Sequence, residues 1–270
     1  MHKFEGMLLF SDLDGTVFDS NTELPKRNID GISYFKEQGG RFAVATGRSH
    51  ISLAKHKDLL GVNAPCVVLN GCGVFDYSLD KFIYSVFLDN DAKEAVKYLA
   101  TKHKDINTVV FLDDDTMAAT QGVDHLPPCF DSKVVPGIRS DIKDVVSRDW
   151  FKVVFVGELQ ELKVIANECT SINIGNTGTV FAGDDMFEFL PAGVTKGDGM
   201  VALAKSLNTD LSKVFAVGDF YNDQEMLKYA GISAVAGQAP DDVKEVADYT
   251  ACTCDEGTVG WFVEKLDTLF

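Results

Sequence analysis

The sequence predicts an α/β fold: a Rossmann-like doubly wound parallel sheet core with an inserted α+β domain. Three observations carry that expectation. In the first and last thirds of the chain, short apolar runs ending in polar or glycine residues alternate with stretches of helical period. In the middle that alternation breaks, and strands gather around one amphipathic helix and an acidic turn. Finally, 270 residues that are 46% hydrophobic and 24% charged can bury a large core without disulfides or a structural metal.

The elements follow in order. Met7–Phe10 is a short apolar run of the kind a buried parallel strand shows. Pro25 opens a helix with Ile29, Ile32 and Phe35 on one face, and Gly39-Gly40 stops it. Phe42–Ala45 is a second strand, a helix runs from Ser49 to Leu60, and Cys66–Leu69 is a third strand. Such a succession implies right-handed crossovers and a parallel sheet. The pattern resumes with a helix striped by Met200, Leu203, Ala204 and Leu207, beginning near Thr195. Strands Val214–Val217 and Ile232–Val235 alternate with a helix carrying Met226 and Leu227, another around Asp241–Ala247, and a last one striped by Val259, Phe262, Val263 and Leu266. Between these halves, Phe82–Leu88, Val109–Leu112, Trp150–Val156 and Thr179–Phe189 read as strands. Ala92, Ala95, Val96 and Leu99 mark a helix, and Asp113-Asp114-Asp115 a hairpin turn. The expected division is a core of residues 1–79 and 191–270 with an α+β insert at 80–190, built on a mostly antiparallel sheet.

Charge narrows the function. The chain has 25 Lys and Arg against 41 Asp and Glu, a net charge of −16, the wrong sign for phosphate-backbone binding, so no nucleic-acid partner is expected. No apolar stretch is long enough for a membrane span, and Met7–Phe10 is too short for a signal-peptide core. The six cysteines form no C-x-x-C pair and read as free thiols, so a cytoplasmic location is expected.

In open α/β sheets, ligands gather at the carboxyl ends of the parallel strands. After the first strand comes Ser11-Asp12-Leu13-Asp14-Gly15-Thr16, after the second Thr46-Gly47-Arg48, after the third Asn70-Gly71, and after Val214–Val217 comes Gly218-Asp219-Phe220-Tyr221-Asn222-Asp223. Four carboxylates from two distant strands would converge on one edge. Like charges that close resist joint ionisation unless something positive offsets them. Hard oxygen donors without thiolates point to Mg²⁺, which favours one or two carboxylates together with a substrate phosphate. An aspartate can serve as the nucleophile of phosphoryl transfer, and a second carboxylate two residues on can handle the leaving-group proton.

These residues match a family. Asp12-Leu13-Asp14-Gly15-Thr16 resembles the first motif of the haloacid dehalogenase (HAD) superfamily phosphatases, and Ala45-Thr46-Gly47-Arg48, Lys196 and Gly218-Asp219-x-x-Asn222-Asp223 resemble the next three, in the same order. The insert is similar to the cap of the Cof-type (subfamily IIB) members. The resemblance implies that Asp12 is the nucleophile, Asp14 the general acid and then base, and Lys196 the charge-neutralising cation. It implies that Thr46, Gly47, Arg48 and Asn222 bind substrate. Mg²⁺ would be held by the Asp12 carboxylate, the Asp14 carbonyl and Asp219, with Asp223 in or just outside the shell. The implied activity is hydrolysis of small phosphorylated metabolites, sugar phosphates foremost, by a monomer or homodimer. Phe220 departs from the small polar residue that many relatives carry there.

Other features carry less. Arg48 could equally pair with a core carboxylate, and Asp113–Asp115 reads as a solvated turn. His50 and His56, six residues apart, share no helix face. Cys252 and Cys254 read as strand residues, because nothing completes a zinc site. The segment Gly122–Phe130, with Pro127-Pro128, is a loop candidate for leaving-group contact. No Gly-x-Gly-x-x-Gly or Walker A pattern is present. A phosphomutase and a phospho-accepting signalling module are the competing readings.

Overall fold

The computed structural model describes residues 2–114, 116–124, 126–127, 130, 132–182 and 184–270. Asp115, Pro128 and Cys129, which belong to the acidic turn and the Pro-Pro loop of the sequence reading, lie outside the described residues. In chain order the elements are β1 (Leu8–Ser11), α1 (Lys26–Glu37), β2 (Arg41–Val44), α2 (His50–Leu60), β3 (Cys66–Val68), β4 (Gly73–Asp76) and β5 (Lys81–Ser85). Next come α3 (Asn90–Lys102), β6 (Asn107–Leu112), β7 (Met117–Ala119), β8 (Gly137–Arg139), α4 (Ile142–Val145), β9 (Trp150–Val156), α5 (Leu159–Cys169), β10 (Thr177–Phe181) and β11 (Met186–Pro191). The chain ends with α6 (Lys196–Ser206), β12 (Val214–Gly218), α7 (Gln224–Tyr229), β13 (Ile232–Val235), α8 (Asp241–Lys244), β14 (Tyr249–Thr250) and α9 (Thr258–Asp267). Two compact units emerge. One comprises the chain up to Gly47, Leu53–Tyr84 and Thr195–Phe270; the other comprises Arg48–Ser52 and Ser85–Val194.

The first unit is built on a sheet of order β14-β13-β12-β1-β2. Its pairings are parallel throughout, with Leu8 opposite both Val214 and Arg41. From β1 the chain winds to β2 on one side and later returns to β12 on the other. The carboxyl ends of β1 and β12 therefore flank a topological switch point, the place where open α/β sheets bind their ligands. Both strands are buried along their whole length, as expected of parallel strands covered on two faces. Leu8, Phe10, Val214 and Ala216 face a cluster with Met200, Leu203, Met226 and Leu227 of α6 and α7. The alternate residue Phe215 instead packs near Phe35 of α1, with ring centroids 6.5 Å apart. Beside this sheet, β3, β4 and β5 form a three-stranded one. The strand expected over Phe82–Leu88 is thus Lys81–Ser85, and it is a neighbour of β4 rather than a strand of the insert.

Helices α1 and α9 approach unusually closely. A Cβ added to Gly31 would lie 2.7 Å from the Gly260 Cα, and one added to Gly260 would lie 2.2 Å from the Arg27 carbonyl oxygen. This contact also explains a departure from the expected helix face. Ile29 is 40% exposed, whereas Asn28 is fully buried. The Asn28 amide donates to the Val17 carbonyl (2.8 Å) and accepts from the Gly260 N–H (2.9 Å), so it ties both neighbours to α1.

The second unit has a sheet of order β10-β11-β9-β6-β7-β8. It is antiparallel except for the parallel β7–β8 pair. Ala92, Val96 and Leu99 of α3 and Leu162 and Ile165 of α5 pack against Val110, Val153, Phe155 and Phe189 of the sheet. The single strand expected over Thr179–Phe189 is instead the hairpin β10–β11, closed where the Ala182 N–H donates to the Met186 carbonyl (3.0 Å). Cys252 and Cys254 are not strand residues either. The sheet edge ends at Thr250, and Thr253 and Glu256 cap a single helical turn that starts at Cys254.

The Gly31–Gly260 contact has a direct consequence. Gly260→Ala is expected to force α1 and α9 apart and lower stability by about 1–3 kcal/mol, measured as a reduced urea midpoint. An unchanged midpoint would show that the close approach is dispensable.

Candidate active site

The turn after β1 is shaped by what it must avoid and what it must hold. Asp12 is still in register with β12, its N–H donating to the Val217 carbonyl at 2.9 Å. The chain then reverses, and the Phe18 N–H donates to the Leu13 carbonyl at 2.9 Å. Gly15 adopts φ +82°, and a Cβ there would lie 2.5 Å from Asp219 Oδ2. Glycine meets both demands. The turn is also anchored from a distance. Gln238 Nε2 donates to the Gly15 carbonyl (2.6 Å), while its Oε1 accepts from the Cys254 N–H (3.0 Å).

Lys196 begins α6, behind a capping box in which the Asp198 N–H donates to Thr195 Oγ1 and Asp198 Oδ2 accepts from the Thr195 N–H. A cation at a helix N-terminus is electrostatically disfavoured, and this one is 1% exposed. Two carboxylates compensate: Lys196 Nζ donates to Asp12 Oδ1 at 2.5 Å and to Asp223 Oδ1 at 2.7 Å. The other oxygen of Asp223 accepts the N–H groups of Asp219 (2.9 Å) and Phe220 (3.1 Å). Both oxygens of Asp223 are therefore engaged within the protein. Since position 220 contributes its N–H, the contact does not depend on the Phe220 side chain. A Cβ on Gly218 would lie 2.5 Å from the Asp223 carboxyl carbon, so the glycine before Asp219 makes room for this arrangement.

Asp12, Asp219 and Asp223 each offer an oxygen within 4.8 Å of the others. Burial pushes the Asp12 carboxyl well above the usual carboxylate range against the pull of Lys196, and Asp223 and Asp219 push the same way. Burial and Asp223 raise Asp219 to about 6, although the Thr16 hydroxyl donates to its Oδ1 at 2.9 Å. Burial disfavours the Lys196 ammonium, but Asp12 and Asp223 together more than offset that and hold it above the ordinary lysine range. With all three carboxylates ionised, one ammonium leaves an excess of two negative charges, which a divalent cation would match; without one, the raised Asp12 and Asp219 resist that full ionisation. The donors are hard oxygens, as Mg²⁺ prefers, so the residues present fit that ion.

Of the residues singled out from sequence, Asp12, Lys196, Asp219 and Asp223 come together. Asp14 is exposed on the turn, and its carboxyl lies outside the three-aspartate cluster. Thr46 is buried, its N–H donating to the Val67 carbonyl at 2.9 Å. Asn222 is exposed and donates to Asn70 Oδ1 at 3.2 Å, and a Cβ on Gly47 would lie 3.0 Å from that same oxygen. Arg48 clusters with the second unit. Sequence reasoning assigned no part to Thr16, Asp198 or Gln238. Thr16 stands in the first motif itself and Asp198 at the capping-box spacing, so both carried a local signal. Gln238 is 223 residues from Gly15 and carried none.

Removing Lys196 should expose the cost of this cluster. In metal-free buffer, Lys196→Met is expected to lower unfolding stability by about 3–5 kcal/mol, because it leaves buried carboxylates without their cation. Urea denaturation measures it, and a loss below about 1 kcal/mol would mean the pair behaves as a solvated surface bridge.

Comparison with known proteins agrees with this geometry. The family model for haloacid dehalogenase-like hydrolases matches residues 9–263. YkrA of Bacillus subtilis (strain 168) is 26% identical over 275 residues, covering 98% of this chain and 99% of that protein. The 5-amino-6-(5-phospho-D-ribitylamino)uracil phosphatase YitU of the same organism is 22% identical over 265 residues, covering 97% of this chain and 98% of that one. A crystal structure of a haloacid dehalogenase-like hydrolase from Bacteroides thetaiotaomicron has the same fold, with a TM-score of 0.84 at 24% identity over 98% of this chain and 99% of that one. The match begins in β1, just before the Asp12 turn, and runs into α9: this chain belongs to the haloacid dehalogenase-like hydrolases.

Proposed function

We propose that this chain is a cytoplasmic, Mg²⁺-dependent phosphatase that hydrolyses small phosphorylated metabolites, sugar and polyol phosphates foremost, through an aspartyl-phosphate on Asp12. The observation that carries the reading is the buried Asp12 carboxylate, hydrogen-bonded through one oxygen to Lys196 and clustered with Asp219 and Asp223. The substrate class draws support from YitU, whose name gives a ribityl phosphate as its substrate. The location draws support from the five described cysteines, all of which are free. Among the described residues no helix is long and apolar enough to cross a membrane.

In this reading an oxygen of Asp12 attacks phosphorus in line, and the bond to the leaving oxygen breaks. Asp14, exposed on its turn, gives its proton to the departing alkoxide. It then takes a proton from the water that attacks the aspartyl-phosphate, which releases inorganic phosphate and restores the Asp12 carboxylate. Lys196 offsets charge on Asp12 and on the transferring group. Thr46, the Gly47 N–H, Arg48 and Asn222 receive the phosphoryl oxygens. Mg²⁺ would be held by the Asp12 carboxylate, the Asp14 carbonyl and Asp219, where its charge would offset that of the phosphoryl oxygens. Asp223, with both oxygens engaged, stands just outside that set and orients Lys196.

Hydrolysis of p-nitrophenyl phosphate tests the reading. Wild type should turn over only with Mg²⁺, and Asp12→Asn should lose at least about 10³-fold in kcat while staying folded. Turnover by the variant at the wild-type rate would remove Asp12 as nucleophile. Mg²⁺ binding should also depend on pH. With Asp219 titrating at about 6, its carboxyl is protonated below that value and ionised above it, so affinity should fall as pH drops from 7 to 5. Calorimetric titration with Mg²⁺ measures this, and a pH-independent affinity would place the ion elsewhere.

A further inference from the structure

The loop after β3 is contorted. Leu69, Asn70 and Gly71 adopt φ of 52°, 56° and 101°, three consecutive residues in the left-handed region. Only the glycine takes that conformation freely. A buried leucine held there is strained, and such strain persists only where the surroundings enforce it. They do so from three sides. The Asn70 N–H donates to the Thr46 carbonyl at 3.0 Å. Gly71 presses on the start of α6 so tightly that a Cβ would lie 2.0 Å from the Thr195 carbonyl oxygen. Asn70 Oδ1 accepts from Asn222 Nδ2 at 3.2 Å.

One side chain thus meets the loops after β2 and β12, beside the first residues of α6. With its oxygen taken by Asn222, the Asn70 amide presents its nitrogen to another acceptor. Asn70 Nδ2 makes no hydrogen bond among the described residues. It sits against the Gly47 backbone, 3.3 Å from where a Cβ of that residue would be. An oriented but unused donor, held by a strained loop amid Thr46, Gly47 and Asn222, has the properties of a ligand contact.

We propose that Asn70 is a further substrate-binding residue, whose Nδ2 donates a hydrogen bond to an oxygen of the bound phosphoryl group. The assignment rests on the phosphatase reading above, and it names the amide dipole as one of the donors that select a phosphate. The loop keeps its left-handed conformation because that conformation delivers the donor.

The test is the affinity of the folded protein for inorganic phosphate in the presence of Mg²⁺, by calorimetry and by competition against p-nitrophenyl phosphate. Asn70→Asp keeps the size, the tolerance of left-handed backbone and the acceptor for Asn222, but loses the donor. Asn70→Gly loses the donor without adding charge and is better suited to φ 56°. Both variants should bind phosphate about tenfold or more weakly and raise KM more than they lower kcat. Their melting temperatures should stay close to wild type, with Asn70→Gly no less stable than Asn70→Asp. Weakening in Asn70→Asp alone would reduce the effect to charge repulsion and overturn the assignment, as would wild-type affinity in both. A wild type that binds no phosphate and hydrolyses none would instead overturn the phosphatase reading itself, and this assignment with it.

Discussion

The buried ion pairs of Lys196 with Asp12 and Asp223 are the interaction on which the rest of this site depends. A lysine at a helix start is misplaced with respect to the backbone dipole, and burial makes its charge costlier still. It is stable there because Asp12 comes from the end of β1 and Asp223 from the loop after β12, so the cation joins two adjacent strand ends. Each partner is fixed in turn. Asp223 is held by the N–H groups of Asp219 and Phe220, and Lys196 by the capping of α6. The arrangement is stiff, and it remains over-negative. That combination suits the proposed binding of Mg²⁺ together with a phosphate.

The parallel sheet makes this convergence possible. Winding outward from β1 in both directions leaves the carboxyl ends of β1 and β12 side by side. Loops from elements far apart in sequence then share one edge. Glycines at 15, 71 and 218 let those loops approach within distances that no Cβ would allow. Close approach is therefore a property of the site as much as the charges are, since a single methyl at Gly15 would displace Asp219.

The core of this account was legible in the amino-acid sequence because parallel strands buried on both faces write themselves as short apolar runs, with the functional residues directly after them. Val214–Gly218 followed by Asp219 and Asp223 is such a case. Less legible was anything set by partners distant in sequence. Asn28 reads as a surface residue of α1, yet it is buried because it bridges Val17 and Gly260. Gln238 looks unremarkable until the fold brings it to Gly15. In the insert, the run Thr179–Phe189 reads as one strand because its apolar residues flank a short polar turn, whereas it folds as a hairpin. Asn70 lies between these extremes. Asn-Gly announces a turn, but nothing local announces that the preceding leucine shares its left-handed backbone.

The central step of the proposed mechanism is covalent: during turnover, Asp12 would carry the phosphoryl group. Acid quench of the enzyme during steady-state hydrolysis, borohydride reduction of the acyl phosphate and peptide mapping would read it directly. The account predicts that position 12 is recovered as homoserine, dependent on both substrate and Mg²⁺. Reduction at position 14 or 219, or none anywhere under conditions of rapid turnover, would contradict it.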